Sequence, residues 1–536
     1  MTSLPIKRRA RTTLAPLLAG VAQALSFAPR PLWWLQILAL AALLVIWQRQ
    51  PSGRWRDDFW LGMWFGLGGF VAGLYWLYIS MHDYGGMPSV LAALAVLLFA
   101  GYLSLFPALA LAGTRWLLLR LASKSSGGIE TACWRLAPTF AGCWIVTEWL
   151  RGQLFTGFPW LSVGYAHVDG PLGGWAACLG VFGVGGLAAL VAGALASWRP
   201  RGPAPSRRFL PPLMVAVPLL AGALAARWQW TEPAGDPLAV RLIQGNIAQQ
   251  MKFDPQHALQ AMRDYARQVN EPSQGGPLAL TVLPETAWTM PWPATPPDIA
   301  DALLAAPGRH DVIALGAPML PTPHSLAGTS RPGLADRYEI ANSVLLLSRD
   351  PVAAPLAQYD KHHLVPFGEF VPLGFQWFVD LMNIPLGSFT RGSLEQPPIR
   401  IADQRVAFNI CYEDLFGEEL LPAVRAGASV LINVSNLAWV GDSLALPQHL
   451  QIARMRTLET GRPMLRATNT GVTASIDAHG TVRASLRPYT AGVLDDAVQG
   501  MSGLTPYARF GNALPLALAV LLIAAAPCFA RRSHNR

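Results

Sequence analysis

The stretch Arg405-Val-Ala-Phe-Asn-Ile-Cys411-Tyr-Glu-Asp414 decides how this chain folds. Its first six residues form a mostly apolar run of strand length that stops at a thiol, and Leu415 to Arg425 then follows with helical spacing. A cysteine at a strand end, facing the start of a helix, lies where backbone N–H groups and the helix dipole favour a thiolate or a developing oxyanion. Cys411 is therefore a candidate nucleophile, and the rest of the chain must supply its base.

Two other runs end in the same way. Leu278 to Leu283 leads into Pro284-Glu285-Thr286, and Pro355 to Tyr359 leads into Asp360-Lys361-His362-His363-Leu364. Taken singly, Glu285 reads as a solvated loop carboxylate, Lys361 as a surface lysine and Cys411 as a buried inert thiol. Taken together, three strands that end in Glu, Lys and Cys supply a base, a cation and a nucleophile. Cys133, Cys143, Cys178 and Cys528 lie in or beside apolar runs, so Cys411 has no disulfide partner in its own region. His362 and His363 are adjacent and point to opposite faces of a strand, which makes them poor joint ligands. No metal and no cofactor is expected; one of the two histidines as a catalytic base stays open.

Working outward, 52% of the 536 residues are hydrophobic and only 14% are charged, against about 25% charged in a soluble globular chain. The expectation is a polytopic membrane protein. Apolar runs near 14–28, 32–48, 59–79, 88–114, 136–150, 172–198, 210–228 and 511–530 give eight candidate spans. The expected organisation is a membrane domain of seven helices over 1–231, a polar domain over 232–510, and an eighth helix with a tail over 511–536. The first run also fits a signal peptide, with Ala22-Gln-Ala24 as its cleavage site.

A net charge of +9 would ordinarily suggest nucleic acid, so its placement matters. Residues 231–510 hold 20 Lys+Arg and 26 Asp+Glu, which leaves 21 and 6 for the rest of the chain. The basic excess thus belongs to the membrane part. There Lys7 to Arg11, Arg49 to Arg56, Arg120 to Arg135, Arg199 to Arg208 and Arg531 to Arg536 fall on alternate sides of successive spans, while the opposite connections hold only Arg30 and Arg151. By the positive-inside rule both termini are cytoplasmic and the 232–510 domain is outside, periplasmic in a bacterial inner membrane. No nucleic-acid partner is expected.

The strings Leu283-Pro-Glu285-Thr, Tyr359-Asp-Lys361-His-His-Leu-Val-Pro-Phe-Gly-Glu369-Phe-Val-Pro and Asn409-Ile-Cys411-Tyr-Glu413 resemble the Glu, Lys and Cys motifs of the nitrilase (carbon–nitrogen hydrolase) superfamily. The extended Lys motif, the eight runs, Gly157-Phe-Pro-Trp160 and Thr505-Pro-Tyr-Ala-Arg509 are similar to its membrane-embedded branch, the apolipoprotein N-acyltransferase family. The resemblance implies an α-β-β-α sandwich on an eight-helix base. It implies a phospholipid as acyl donor, the diacylglyceryl-cysteine amine of an apolipoprotein as acceptor, and a thioester on Cys411 between the two steps. Glu285 would be the general base. Lys361 would stabilise the oxyanion together with the N–H after Cys411, and Glu369, Tyr412 and Glu413 would support them.

Aromatics crowd the motifs. Phe367, Phe370, Phe375, Trp377, Phe378, Met382 and Phe389 follow the Lys motif, Trp288, Met290 and Trp292 follow Glu285, and Trp439 lies in a third loop. They read either as ordinary core or as lids that meet the lipid bilayer, with 367–389 as a moving arm. Trp160, Phe253, Trp288, Phe370 and Trp439 are the candidate lipid contacts. Three positions depart from the family. Asn436-Leu-Ala-Trp-Val-Gly441 replaces the usual Asn-Asp-Ala-Trp-Phe-Gly, and Phe253 stands where a Trp is common. A membrane-anchored amidase and a transporter with a sensor domain are the rival readings; the first needs no aromatic arm, and the second needs more intramembrane polar groups than Glu148.

Overall fold

This computed structural model describes residues 6–50, 54–122, 133–198, 209–252, 254–273, 275–305, 311–322, 340–349, 357–372, 374 and 389–528. Phe253, Phe375, Trp377, Phe378 and Met382 lie outside the described residues. The chain forms two compact units. One comprises Met1–Leu77, Val90–Gln229 and Phe510–Arg536, and the other joins Tyr78–Ser89 to Trp230–Arg509. The polar unit thus takes in a segment that the sequence reading left with the membrane domain.

The first unit is helical. Each apolar run contributes a helix: Ile6–Ala24, Trp33–Gln48, Trp55–Leu74, Ser89–Ala122, Cys133–Arg151, Ala176–Ser197, Leu210–Ala225 and Ala513–Cys528. Among the described residues, Ser89–Arg120 and Pro171–Ser197 are long and apolar enough to cross a bilayer. A third span is added if Trp55–Leu74 and Trp76–Tyr84, bent by 53°, count as one. Thr13–Ala24, Trp33–Gln48, Leu210–Ala225 and Ala513–Ala525 are apolar but shorter. Helices Ile6–Ala24 and Trp55–Leu74 approach so closely that a Cβ on Gly20 would strike the Phe65 carbonyl, and one on Gly68 the Leu17 carbonyl. Small residues at a helix contact let dispersion act where little water is expelled. Asp58 is neutralised in place: it accepts from Arg115 Nε at 2.8 Å, and that guanidinium lies 4.3 Å over the Trp47 ring.

The second unit contains two six-stranded sheets. In chain order the strands are β1 (Leu238–Gln244), β2 (Leu280–Val282), β3 (Val312–Met319), β4 (Ala341–Ser348), β5 (Ala357–Asp360), β6 (Ile399–Ile401), β7 (Gln404–Ile410), β8 (Val430–Ser435), β9 (Met464–Thr468), β10 (Ala474–Ile476), β11 (Val482–Ser485) and β12 (Gly492–Val498). One sheet has the order β12-β1-β2-β3-β4-β5 and the other β11-β10-β9-β8-β7-β6. Alternate residues of both sheets meet in a shared core that includes Val240, Leu242, Val282 and Val344 from the first and Val406, Phe408, Ile432 and Leu465 from the second.

The opposite faces are covered by helices. Ile243, Ile313 and Leu345 pack on Met262, Tyr265 and Val269 of Pro255–Asn270, while Ala407, Leu431 and Met464 pack with Ala453 of Ala445–Thr460. Asp254 starts the first of these helices by accepting from Gln256 N and His257 N, with Pro255 at the first position. The result is the expected α-β-β-α sandwich.

Strand directions gather three chain segments at one rim. β2 runs parallel to β3, β4 runs antiparallel to β3, and β5 runs antiparallel to β4. The C-terminal ends of β2 and β5 therefore share an edge with the N-terminal end of β4. Glu285, Lys361 and Asn342 stand at those three points.

Candidate active site

Glu285, Lys361, Glu369 and Asn342 form one buried cluster. Lys361 donates from Nζ to Glu369 Oε1 at 2.9 Å and to Glu285 Oε1 at 3.3 Å. Asn342 Nδ2 donates to the same two oxygens at 2.7 and 2.8 Å. The far oxygens are held by backbone: Asn436 N donates to Glu285 Oε2 and Val365 N to Glu369 Oε2, each at 2.8 Å. Burial works against the Lys361 charge, but Glu285, Glu369 and Cys411 outweigh it and raise the pKa above the usual lysine range. Lys361 is thus a fixed cation that cannot act as a base.

Cys411 follows β7 directly, has φ of +53° and begins a single 3-10 turn, Cys411–Leu415. The expected helix is broken up: a second 3-10 turn, Gly417–Leu420, precedes a short helix, Leu421–Arg425. A left-handed backbone at a non-glycine residue is sustained only where its surroundings hold it. Here the Cys411 carbonyl accepts from Asn433 Nδ2 at 3.1 Å and from His449 Nε2 at 3.3 Å. Arg466 donates to His449 Nδ1 at 2.9 Å and to Asp414 Oδ2 at 2.8 Å. A guanidinium only donates, so His449 must donate from Nε2, which also reaches Asp414 Oδ1 at 2.8 Å. Burial pushes the Cys411 thiol well above its usual range, Glu285 adds to that push, and Lys361 opposes it. The thiol therefore stays protonated at rest and needs a base when it reacts.

Glu413 joins the two strand ends. Its carboxylate accepts from Ile410 N at 2.6 Å, His362 N at 2.7 Å, the Tyr359 hydroxyl at 2.9 Å and His363 N at 3.0 Å. Burial raises its pKa to about 7 despite these donors. Tyr412 is buried, with its ring edge-on to Phe416 at 5.2 Å and to His363 at 5.7 Å. His363 itself donates to Glu419 at 2.9 Å and stacks on Phe416.

The expected lipid contacts are distributed differently. Trp288 is fully buried, donates to Thr295 Oγ1 at 3.0 Å and belongs to the core beneath the first sheet. Phe370 and Trp439 are half-buried. The Trp439 carbonyl accepts from Ser80 Oγ at 2.8 Å, and its ring lies 6.3 Å from that of Tyr84. The departures Leu437 and Val440 are both buried, consistent with apolar replacements. Trp160 belongs to the helical unit, buried 4.9 Å from the Trp76 ring. Its loop is held by Arg151, which donates to the carbonyls of Phe158 and Trp160 at 2.6 and 2.7 Å, and by Glu148, which accepts from Val163 N at 2.8 Å.

Asn342, Asn433, His449, Arg466 and Lys252 were missed by sequence reasoning. Asn342 lies inside an apolar strand, where a lone amide carries no motif. Lys252 precedes Phe253 in a string noted only for its aromatic residue.

Known proteins bear on this geometry in two ways. Residues 239–507 match the Carbon-nitrogen hydrolase family, which is the class that the sandwich and the Glu, Lys and Cys strand ends define. Residues 19–194 match the Apolipoprotein N-acyltransferase N-terminal domain. The apolipoprotein N-acyltransferase of Ralstonia nicotianae is 47% identical over 538 residues, covering 99% of this chain and 96% of that one. That of Bordetella bronchiseptica is 46% identical over 533 residues, covering 96% of each. Among solved structures, an amidase from Nesterenkonia sp. aligns at 19% identity and a TM-score of 0.35, covering 52% of this chain and 95% of that one. The chain belongs to the apolipoprotein N-acyltransferase family.

Proposed function

We propose that this protein transfers the sn-1 acyl chain of a phospholipid to the α-amine of the diacylglyceryl-cysteine at the N-terminus of apolipoproteins. The observation that carries the reading is the Glu285–Lys361–Glu369 cluster at strand ends, together with Cys411 held in a left-handed turn at the end of β7. In the first step Glu285 takes the thiol proton, Cys411 Sγ attacks the ester carbonyl, and the C–O bond breaks. Glu285 returns the proton to the departing lysophospholipid alkoxide. In the second step the neutral amine attacks the thioester, the C–S bond breaks, and Glu285 carries the amine proton back to the sulfur. Lys361 stabilises the oxyanion of both tetrahedral intermediates; loss of one such donor typically costs about 2.7 to 4 kcal/mol of barrier. A thioester divides a hard ester-to-amide exchange into two easier steps.

The same reading makes all eight helices membrane-spanning, with 232–510 periplasmic and both termini cytoplasmic. The family membership and the alternating basic loops support it. Intact-mass measurement of detergent-purified protein mixed with a defined phospholipid is expected to show one acyl adduct on Cys411, absent in Cys411→Ala. A diacylglyceryl-cysteine peptide is then expected to discharge it. A wild type that never acylates, or a Cys411→Ala variant with full activity, removes the proposal.

A further inference from the structure

The turn Gln249–Met251 and Lys252 beside it are not used by the mechanism, yet they brace the base from two directions. Lys252 is buried and donates from Nζ to Thr286 Oγ1 at 3.0 Å and to the Thr286 carbonyl at 3.1 Å. Thr286 directly follows Glu285 and has φ of +51°, a left-handed conformation that a β-branched residue adopts only under restraint. On the other side, Gln249 Oε1 accepts from Asn436 Nδ2 at 2.9 Å. The same Nδ2 donates to Thr286 Oγ1 at 3.2 Å, and Asn436 N donates to Glu285 Oε2 at 2.8 Å. Asn469 completes the set by donating to Asn436 Oδ1 at 3.1 Å.

Resting on the acyl-transfer reading above, we infer that Lys252 is a positioning residue for the base: it locks the left-handed Thr286 turn that aims Glu285, and its charge sets how readily Glu285 accepts a proton. A neutral donor could make the two hydrogen bonds, but a lysine adds a cation whose presence depends on pH. Burial lowers its pKa to about 7, with Glu285 pulling the other way. Glu285 is the charged group acting on it, and that carboxylate also accepts from Lys361 at Oε1. On its own stretch of chain Asp254 is engaged with His257 at the surface. While Lys252 is an ammonium its charge opposes transfer of the thiol proton towards it. Above about pH 7 the ammonium loses its proton and that opposition is lifted.

The test is single-turnover acylation of Cys411 by a defined phospholipid, read by intact mass from about pH 5.5 to about pH 9, the range that brackets a base tuned near neutrality. The full-length wild type is expected to accelerate as pH rises through about 7. Lys252→Met is expected to acylate about 100-fold more slowly, the scale of a misaimed catalytic group, with the phospholipid KM unchanged. Lys252→Arg keeps the donors and a permanent charge. It is expected to match the wild type at low pH and to lack the rise. Thr286→Val, which removes one acceptor and stays β-branched, is expected to slow acylation and to add little when combined with Lys252→Met, because both act through one turn. Wild-type rates in Lys252→Met, or a wild-type rise retained in Lys252→Arg, overturn the inference and leave the acyl-transfer reading standing. No thioester on the wild type overturns both.

Discussion

Glu413 shows how one buried carboxylate can tie two strand ends together. Four donors from two different strand ends converge on it, so it fixes the turn that carries Cys411 against the strand that presents Lys361. Glu413→Gln would replace an acceptor by an N–H that faces those donors. A buried donor left unsatisfied costs about 1 to 3 kcal/mol, and the variant is expected to unfold at a correspondingly lower temperature. The pH dependence has a definite sign. The folded-state pKa is raised to about 7, so the contribution from this titration is full below the ordinary carboxylate range and is lost as pH rises through about 7. The gap in melting temperature between wild type and Glu413→Gln should therefore narrow from acid to neutral pH. A gap that widens over that range, or no gap, contradicts the assignment.

At the scale of elements, β12 illustrates what patterning hides. Its run Gly-Val-Leu-Asp-Asp-Ala-Val places two carboxylates in mid-strand and lacks the apolar–polar alternation of a half-buried strand. The structure shows why it is a strand: Asp495 receives two bonds from the buried Arg241 on β1, at 2.7 and 2.8 Å, across seven paired residues. Asp495→Ala leaves that guanidinium without its counter-ion. The expected loss is about 2 kcal/mol, below the 3 to 5 of a fully buried pair because Asp495 is partly exposed. Limited proteolysis checks it, with faster cleavage around 486–500 in the variant and unchanged cleavage refuting it. β11 is faint in the sequence for a simpler reason, since half of its residues are exposed and it carries little apolar signal.

By contrast, the strands that end in Glu285, Lys361 and Cys411 were legible because an apolar run meeting a reactive side chain is a local signal. Asn342 was not legible, because its partners Glu285 and Glu369 lie 57 and 27 positions away. Only the antiparallel course of β4 brings it between them. Trp288 was ambiguous for a related reason: a large aromatic beside a motif looks the same in sequence whether it lines a lid or fills a core, and in the structure it is buried in the core.

For the whole molecule, the proposed orientation rests on the charge distribution. If the basic loops set it, a reporter fused after Arg536, or inserted within 199–208, will report from the cytoplasm, while one in an exposed loop of 232–510 will report from the other side. The reverse pattern would refute the proposed topology. Among the described residues, two helices, or three if the bent pair counts as one, are long and apolar enough to cross a bilayer. Cys133–Arg151 carries Arg135, Glu148 and Arg151, and several other segments are shorter than a bilayer-spanning helix, although each apolar run does form a helix.

The bond from Ser80 to the Trp439 carbonyl joins residues 359 positions apart. During synthesis, at about 5 to 20 residues per second, the Tyr78–Ser89 segment leaves the ribosome roughly 20 to 70 s before the turn it must meet. The polar unit therefore includes a segment made long before the turn that it meets. A fragment cut at 232–510 would lack that segment, and with it the Ser80 bond and the Tyr84 ring contact of the Trp439 turn.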